Sequence, residues 1–214
     1  MKTIILIACL VGFISFETVK NNSVGVFEKS VDVGNPKIKG STLYDKKTNT
    51  YTLTGGGYNI WFNRDEFQYA YKKLNGDFTL TANFQFVGEG KEAHRKIGWM
   101  VRASLADSDV HISAVDHSDG LTVLQWRVKP GMNMRDPEDE IRASEQKKYA
   151  VIQLQRRGNT FTMRVAEKKG DPFVLVGEHE MDNLPAEVLA GIFICAHNPD
   201  VKESATVSDV LIEK

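Results

Sequence analysis

The chain has 214 residues, 42% of them hydrophobic and 26% charged, with 27 Lys and Arg against 28 Asp and Glu. That length holds one well-buried domain and is short for two. The near-balance of charge, with no basic run interleaved with aromatics, excludes nucleic acid as a partner.

First in chain order comes a leader. Met1-Lys2 gives a positive start, and TIILIACLVGFISF is apolar over a length that suits a signal h-region better than a membrane span. Residues 1–20 are therefore expected to be a signal peptide or an N-terminal anchor, and 21–214 one domain outside the cytoplasm, periplasmic, at the cell surface or secreted. Leu6-Ile7-Ala8-Cys9 resembles a bacterial lipobox, so lipidation at Cys9 stands beside ordinary export or an uncleaved anchor, with no membrane insertion of the mature domain itself. The other cysteine, Cys195, lies in the apolar run LAGIFICA without a disulfide partner in the domain, and reads as a small buried hydrophobe.

After the leader the chain reads as strand upon strand. NTYTLTG (49–55), DFTLTANFQF (77–86), KIGWMVRAS (96–104), VHISAVDH (110–117), LTVLQWRV (121–128), YAVIQLQR (149–156) and TFTMRVAE (160–167) alternate with period two or are rich in β-formers. FVLVGEHEM (173–181), LAGIFICAH (189–197) and TVSDVLIE (206–213) follow. Turn signals such as Asn75-Gly76, Asp119-Gly120 and Gly158-Asn159 separate them. NLPAEVLAG (183–191) offers one helical turn at most, and the polar stretch 129–148 reads as a mobile excursion. The predicted fold is all-β, an antiparallel two-sheet sandwich or barrel.

Three sequential strands carry the most information. In KIGWMVRAS, VHISAVDH and LTVLQWRV, the residues Trp99, Val101, Ile112, Ala114, Leu124 and Trp126 form an apolar face. The opposite face bears Arg102, His111, Ser113, Gln125 and Arg127. Such a face is either a solvated surface or a ligand groove, and guanidinium, amide and imidazole groups suit the hydroxyls of a sugar when an aromatic platform stands beside them. Among the aromatics of YNIWFNRDEFQYAY, Phe67, Tyr69 and Tyr71 share one face and read as core. Trp61, between the glycine run and Asn63-Arg64-Asp65, is the candidate platform. The candidate ligand-binding set is thus Trp61, Arg102, His111, Gln125 and Arg127.

Other chemistry is weakly signalled. His117-Ser118-Asp119-Gly120 reads as a hairpin tip rather than a metal loop, and the five histidines show no ligand spacing, so neither a metal nor a cofactor is expected. Gly55-Gly56-Gly57 lacks the Lys-Ser/Thr of a phosphate loop and suits a bulge or close packing. No strand carries the alternating carboxylates of a sandwich-fold glycosidase, so no catalytic residue is assigned. Glu178 and Glu180, sharing a strand face, are the nearest approach, and edge-strand charge is the preferred explanation of them. The acids of Asp136-Pro137-Glu138-Asp139-Glu140 read as solvated charge.

The stretches GGGYNIWFNRDEFQYAYKKLNGDFTLTANFQF, IGWMVRASL, DHSDGLTVLQWR, VIQLQRRGNTFT and GIFICAHNP resemble a bacterial domain of unknown function in the concanavalin A-like lectin/glucanase superfamily. That family is sometimes labelled regulation-of-enolase-like and occurs as a module in TolB-like and carbohydrate-active proteins. The resemblance runs over nearly all of the chain after the leader. It implies a two-sheet jelly roll with a concave face, which handles glycans in better-known relatives, and leaves activity open because the superfamily holds enzymes, lectins and spacer modules. The expected function is non-catalytic binding of an oligo- or polysaccharide. A glycoside-processing hydrolase of the same fold, or a structural or protein-interaction module of the envelope, are the alternatives.

Overall fold

The computed structural model describes residues 24–214. The leader and the Cys9 reading lie outside the described residues. Among the described residues there is no helix, and therefore none long and apolar enough to cross a membrane.

Fourteen strands form two antiparallel sheets. The first sheet contains β1 (Lys29–Val33), β4 (Phe67–Asn75), β13 (Glu187–Cys195), β6 (Lys96–Arg102), β7 (His111–His117), β8 (Thr122–Arg127) and β9 (Glu140–Arg142), in that spatial order. The second contains β12 (Val174–Glu180), β11 (Thr160–Ala166), β10 (Val151–Arg157), β5 (Phe78–Val87), β14 (Glu203–Glu213), β3 (Thr50–Gly55) and β2 (Ser41–Asp45). Neighbours in space are often far apart in sequence, as with β13 between β4 and β6, which is the crossing connectivity of a jelly roll.

All ten strand runs read from the sequence are present, joined by four more. Three of these, β1, β2 and β9, lie at sheet edges, where short polar strands discourage pairing with other chains and leave little apolar alternation to read. The fourth, β4, carries Phe67, Tyr69 and Tyr71 on one face, as expected, and is buried on both faces over its first five residues. The expected helical turn within 183–191 is absent; Glu187 instead opens β13, which pairs with β4 and β6 on its two sides. The 129–148 excursion is tied down: it supplies β9, buries Met134 and Asp139, and its Asp139 carbonyl accepts the Trp126 N–H at 3.0 Å.

Between the sheets lies the main core, built from inward-facing residues such as Leu53, Phe78, Trp99, Ile112, Leu154 and Ile192. Each such side chain contributes about 1.5–3 kcal/mol by leaving water. Trp99 keeps its polar edge satisfied by donating Nε1–H to the Ile152 carbonyl of the opposite sheet at 3.1 Å. A second, smaller cluster covers the outer face of the first sheet, where Ile60, Phe67, Tyr69, Met100, Val123 and Phe193 pack together with buried Cys195. Strands β6, β7 and β8 are in consequence buried on both faces. The alternation was legible, but the outer face is not the open surface that alternation allowed.

Candidate functional site

The covering layer begins where β3 ends. Gly57 has φ +115°, and a Cβ there would run into the Glu66 carbonyl, so only glycine lets the chain fold back this closely. The returning segment 57–66 is held by Glu66 N–H to Asn59 O at 2.9 Å and brings Asp65 down onto the outer face of the first sheet.

Asp65 meets two of the arginines singled out in the sequence. Arg127 grips it bidentately, Nη1 to Oδ2 at 2.9 Å and Nη2 to Oδ1 at 2.8 Å, while Arg102 Nη1 reaches Oδ2 at 3.0 Å. All three side chains are fully enclosed, at 0% exposure. Burial raises the Asp65 pKa and the two guanidiniums pull against that rise. With charge-assisted bonds on both oxygens, the carboxylate is the form the geometry holds. The remaining guanidinium N–H groups go to backbone carbonyls: Arg102 to Ser104 and Ala106, Arg127 to Ile60, Phe62, Asp109 and Met132. Two side chains thereby peg three separate loops to one end of the sheet. His111, in register with Arg102 and Arg127, is buried between them; it leans toward the Ile60 carbonyl without a well-directed hydrogen bond. Burial, reinforced by both guanidiniums, holds its pKa far below the ordinary value, so the ring is neutral.

At the other end of the same face the layer stops short and leaves a cleft of about 230 Å³. Its floor is Lys96, His117, Leu121 and Gln125, and half-buried Trp61 and exposed Phe62 stand at its side. Trp61 is fixed through its backbone, whose carbonyl accepts the Met134 N–H at 2.9 Å. Gln125 is buried, and its Nε2 has no hydrogen-bond partner among the described residues. Of the five residues expected at a ligand site, the structure therefore brings Trp61 and Gln125 to an opening and places Arg102, His111 and Arg127 behind it, under the covering loops.

The cleft also gathers residues that sequence reasoning did not unite. Lys96 pairs in register with His117, and its Nζ donates to the His94 carbonyl and to His197 Nδ1, both at 2.9 Å. His94 stands 5.6 Å, centroid to centroid, from both His117 and His197. The His117 Nδ1–H donates to the Leu121 carbonyl at 2.9 Å across the hairpin turn, where Gly120 (φ +88°) gives the expected tight reversal. That bond fixes the tautomer and leaves Nε2 of His117 as an acceptor. Accepting from Lys96 at Nδ1 likewise leaves His197 with Nε2–H as a donor. Burial pulls Lys96 down to about 8 and, with the nearby ammonium adding to it, His197 to about 4. Three histidines in one place suggest a metal, yet no group of His, Cys, Asp and Glu among the described residues is placed to hold one. An ammonium set among the imidazoles disfavours a cation on electrostatic grounds.

The acids nearby are already engaged. Arg142 binds Asp136 at 3.1 Å and Glu140 at 2.5 Å along one wall of the cleft. Glu178 and Glu180 lie on β12, an edge strand of the other sheet, where Glu178 accepts from Thr162 at 2.9 Å. A larger cavity of about 600 Å³ opens at one end of the sandwich between Phe84, Phe86, Arg95 and Asp116. Its arginine lies over the Phe86 ring, 4.3 Å from the centroid, and is tied to Glu203, so that aromatic face is already taken. Burial raises Asp116 there to about 7.

No family model matches the chain, and no curated protein matches it in sequence. Solved structures do. A functionally unknown protein from Saccharomyces cerevisiae is 17% identical, with TM-score 0.59 over 86% of this chain and 95% of its own. Lectin II from Ulex europaeus is 8% identical, with TM-score 0.53 over 87% and 98% of the two chains. The Bacteroides ovatus xyloglucan PUL GH43B is 13% identical, with TM-score 0.53; it covers 95% of this chain, which spans 40% of that one. At such identities these likenesses show the fold alone, an antiparallel jelly-roll sandwich of two sheets.

Proposed function

We propose that this chain is an exported, non-catalytic carbohydrate-binding module, akin to the regulation-of-enolase-like domains its sequence resembles. The observation that carries the reading is a half-buried indole and a buried amide lining one open cleft: Trp61 offers a face for a sugar ring, and Gln125 lies in the floor with its Nε2 unpaired among the described residues. Supporting it, one structural neighbour is named as a lectin and another as part of a xyloglucan system. Arg102 and Arg127 enter as positioning residues, since the loop they hold through Asp65, Ile60 and Phe62 is the one that presents Trp61, and His111 is packed between them.

The test is titration of the purified protein against a glycan panel, with product analysis on every polysaccharide retained. Retention without cleavage is expected, and Trp61→Ala should lower affinity about tenfold, the loss of one stacking contact, while leaving the unfolding midpoint unchanged. Silence across the panel, or affinity indifferent to both Trp61→Ala and Gln125→Ala, sinks the proposal. Cleavage products would replace it with a hydrolase.

A further inference from the structure

We propose that the floor of this cleft is an oxyanion subsite, so that the saccharide it takes carries a carboxylate or a sulfate ester set against Lys96. This rests on the carbohydrate reading and specifies its ligand class.

Elsewhere in the molecule, buried cations are compensated from within. Arg95 Nη1 lies 2.5 Å from Glu203, and Arg102 and Arg127 share Asp65. Arg156 turns its guanidinium onto the carbonyls of Gly158, Pro185 and Ala186. Lys96 is the exception that opens on a cleft. Its residue is 3% exposed, and among the described residues no carboxylate comes within ion-pair distance of its Nζ. An ammonium carries three donors, and the protein accepts from two of them, through the His94 carbonyl and His197 Nδ1. A buried charge left in this state costs several kcal/mol, which an anion entering from solvent offsets at the moment of binding.

The surroundings favour the same sign of ligand. The groups facing Lys96 are His94 and Asp119 from the turns on either side, His117 from β7, and the Cys195 thiol and His197 at the end of β13. Of these only Asp119 is an acid; it lies 3.5 Å from His94 Nε2, with which it can pair. Asp136 and Glu140, which would repel an anion, are held by Arg142. His197, which lines the same cleft, has Nε2–H as a second donor. Trp61 then stacks on the sugar ring whose charged substituent these donors receive.

The deciding measurement uses matched ligands: acidic oligosaccharides, each beside its carboxyl-reduced or desulfated counterpart, with sodium acetate and sodium sulfate as anions without a sugar. The expected result is binding of the acidic member about tenfold or more tighter than its neutral counterpart, the effect of one charge-assisted contact. The preference should be kept by Lys96→Arg, lost in Lys96→Met with neutral binding retained, and should fall away above about pH 8 as the ammonium deprotonates. Equal affinity for both members overturns the subsite and leaves the carbohydrate reading standing. No binding of any glycan removes both. Acetate or sulfate binding as tightly as the oligosaccharides overturns the saccharide assignment in favour of a small-anion site. Should Lys96→Met fail to fold, the matched-pair ratio and its pH dependence in the unaltered protein decide alone.

Discussion

The two ends of the outer face of the first sheet are built from the same kinds of residue on the same three strands, and they come to opposite states. At one end Arg102, His111 and Arg127 are closed over, and the charge is balanced by Asp65 descending from a loop. At the other, Lys96 and His117 occupy the equivalent outward positions, no carboxylate among the described residues pairs with Lys96, and the layer stays open. Strand alternation marks both ends identically. What separates them is one acid in a distant segment, which turns a row of cations into a structural anchor where it is present and leaves a receptive surface where it is absent.

The sharpest way to break this contrast is to remove the acid. Asp65→Ala strands two buried guanidiniums, and a loss of about 3–5 kcal/mol is expected in urea unfolding, with glycan binding lost as the 57–66 loop comes free. A value under about 1 kcal/mol would show that the anchor is ornamental. The open end should respond in the reverse sense. Lys96 titrates near 8 in the folded chain against an ordinary 10.5, so between those values the unfolded chain binds the extra proton and stability rises with pH. The penalty is present in full below about pH 8, where Lys96→Met is expected to be as stable as the parent or more so, and the rise between pH 8 and 10.5 should vanish in the variant. Smallest of all is the surface pair Lys73–Glu187 between β4 and β13, at 2.7 Å and more than half exposed on both sides. There Glu187→Gln is expected to leave the denaturation midpoint unmoved, because water screens what the geometry offers.

Much of the fold was legible because burial on one face imposes period two. The ten strand runs followed from that rule and from β-rich composition, the hairpin at Asp119-Gly120 from the positive φ that glycine allows, and the buried state of Cys195 from the apolar run around it. The edge strands β1, β2 and β9 were not, since an edge selected for polarity erases the signal that reveals a strand. The site was half legible. Trp61 and Gln125 were reached through chemistry and alternation, but the covering of Arg102, His111 and Arg127 depends on Asp65, thirty-seven residues before Arg102. A signal did exist: two arginines on one face of three sequential strands, with no acid on that face, need a partner from elsewhere, and NRDEF sits next to an aromatic strand. The histidine and lysine cluster was harder to see. His117 shares its face with His111, but Lys96 joins it only through the β6–β7 register, and His94 and His197 lie in turns where no periodicity operates.

The pegging of three loops by Arg102 and Arg127 has a consequence for motion. A binding rim usually belongs to the least protected part of a protein, opening by itself while the core stays shut. Here the backbone of the rim at Ile60 and Phe62 is bonded to Arg127 of β8, as is the neighbouring loop at Met132, while the loop at Ala106 is bonded to Arg102 of β6. The rim therefore shares one cooperative unit with the sheet beneath it. Hydrogen exchange is expected to show its amides opening only with global unfolding, and the proposed ligand would then meet a mouth already in shape.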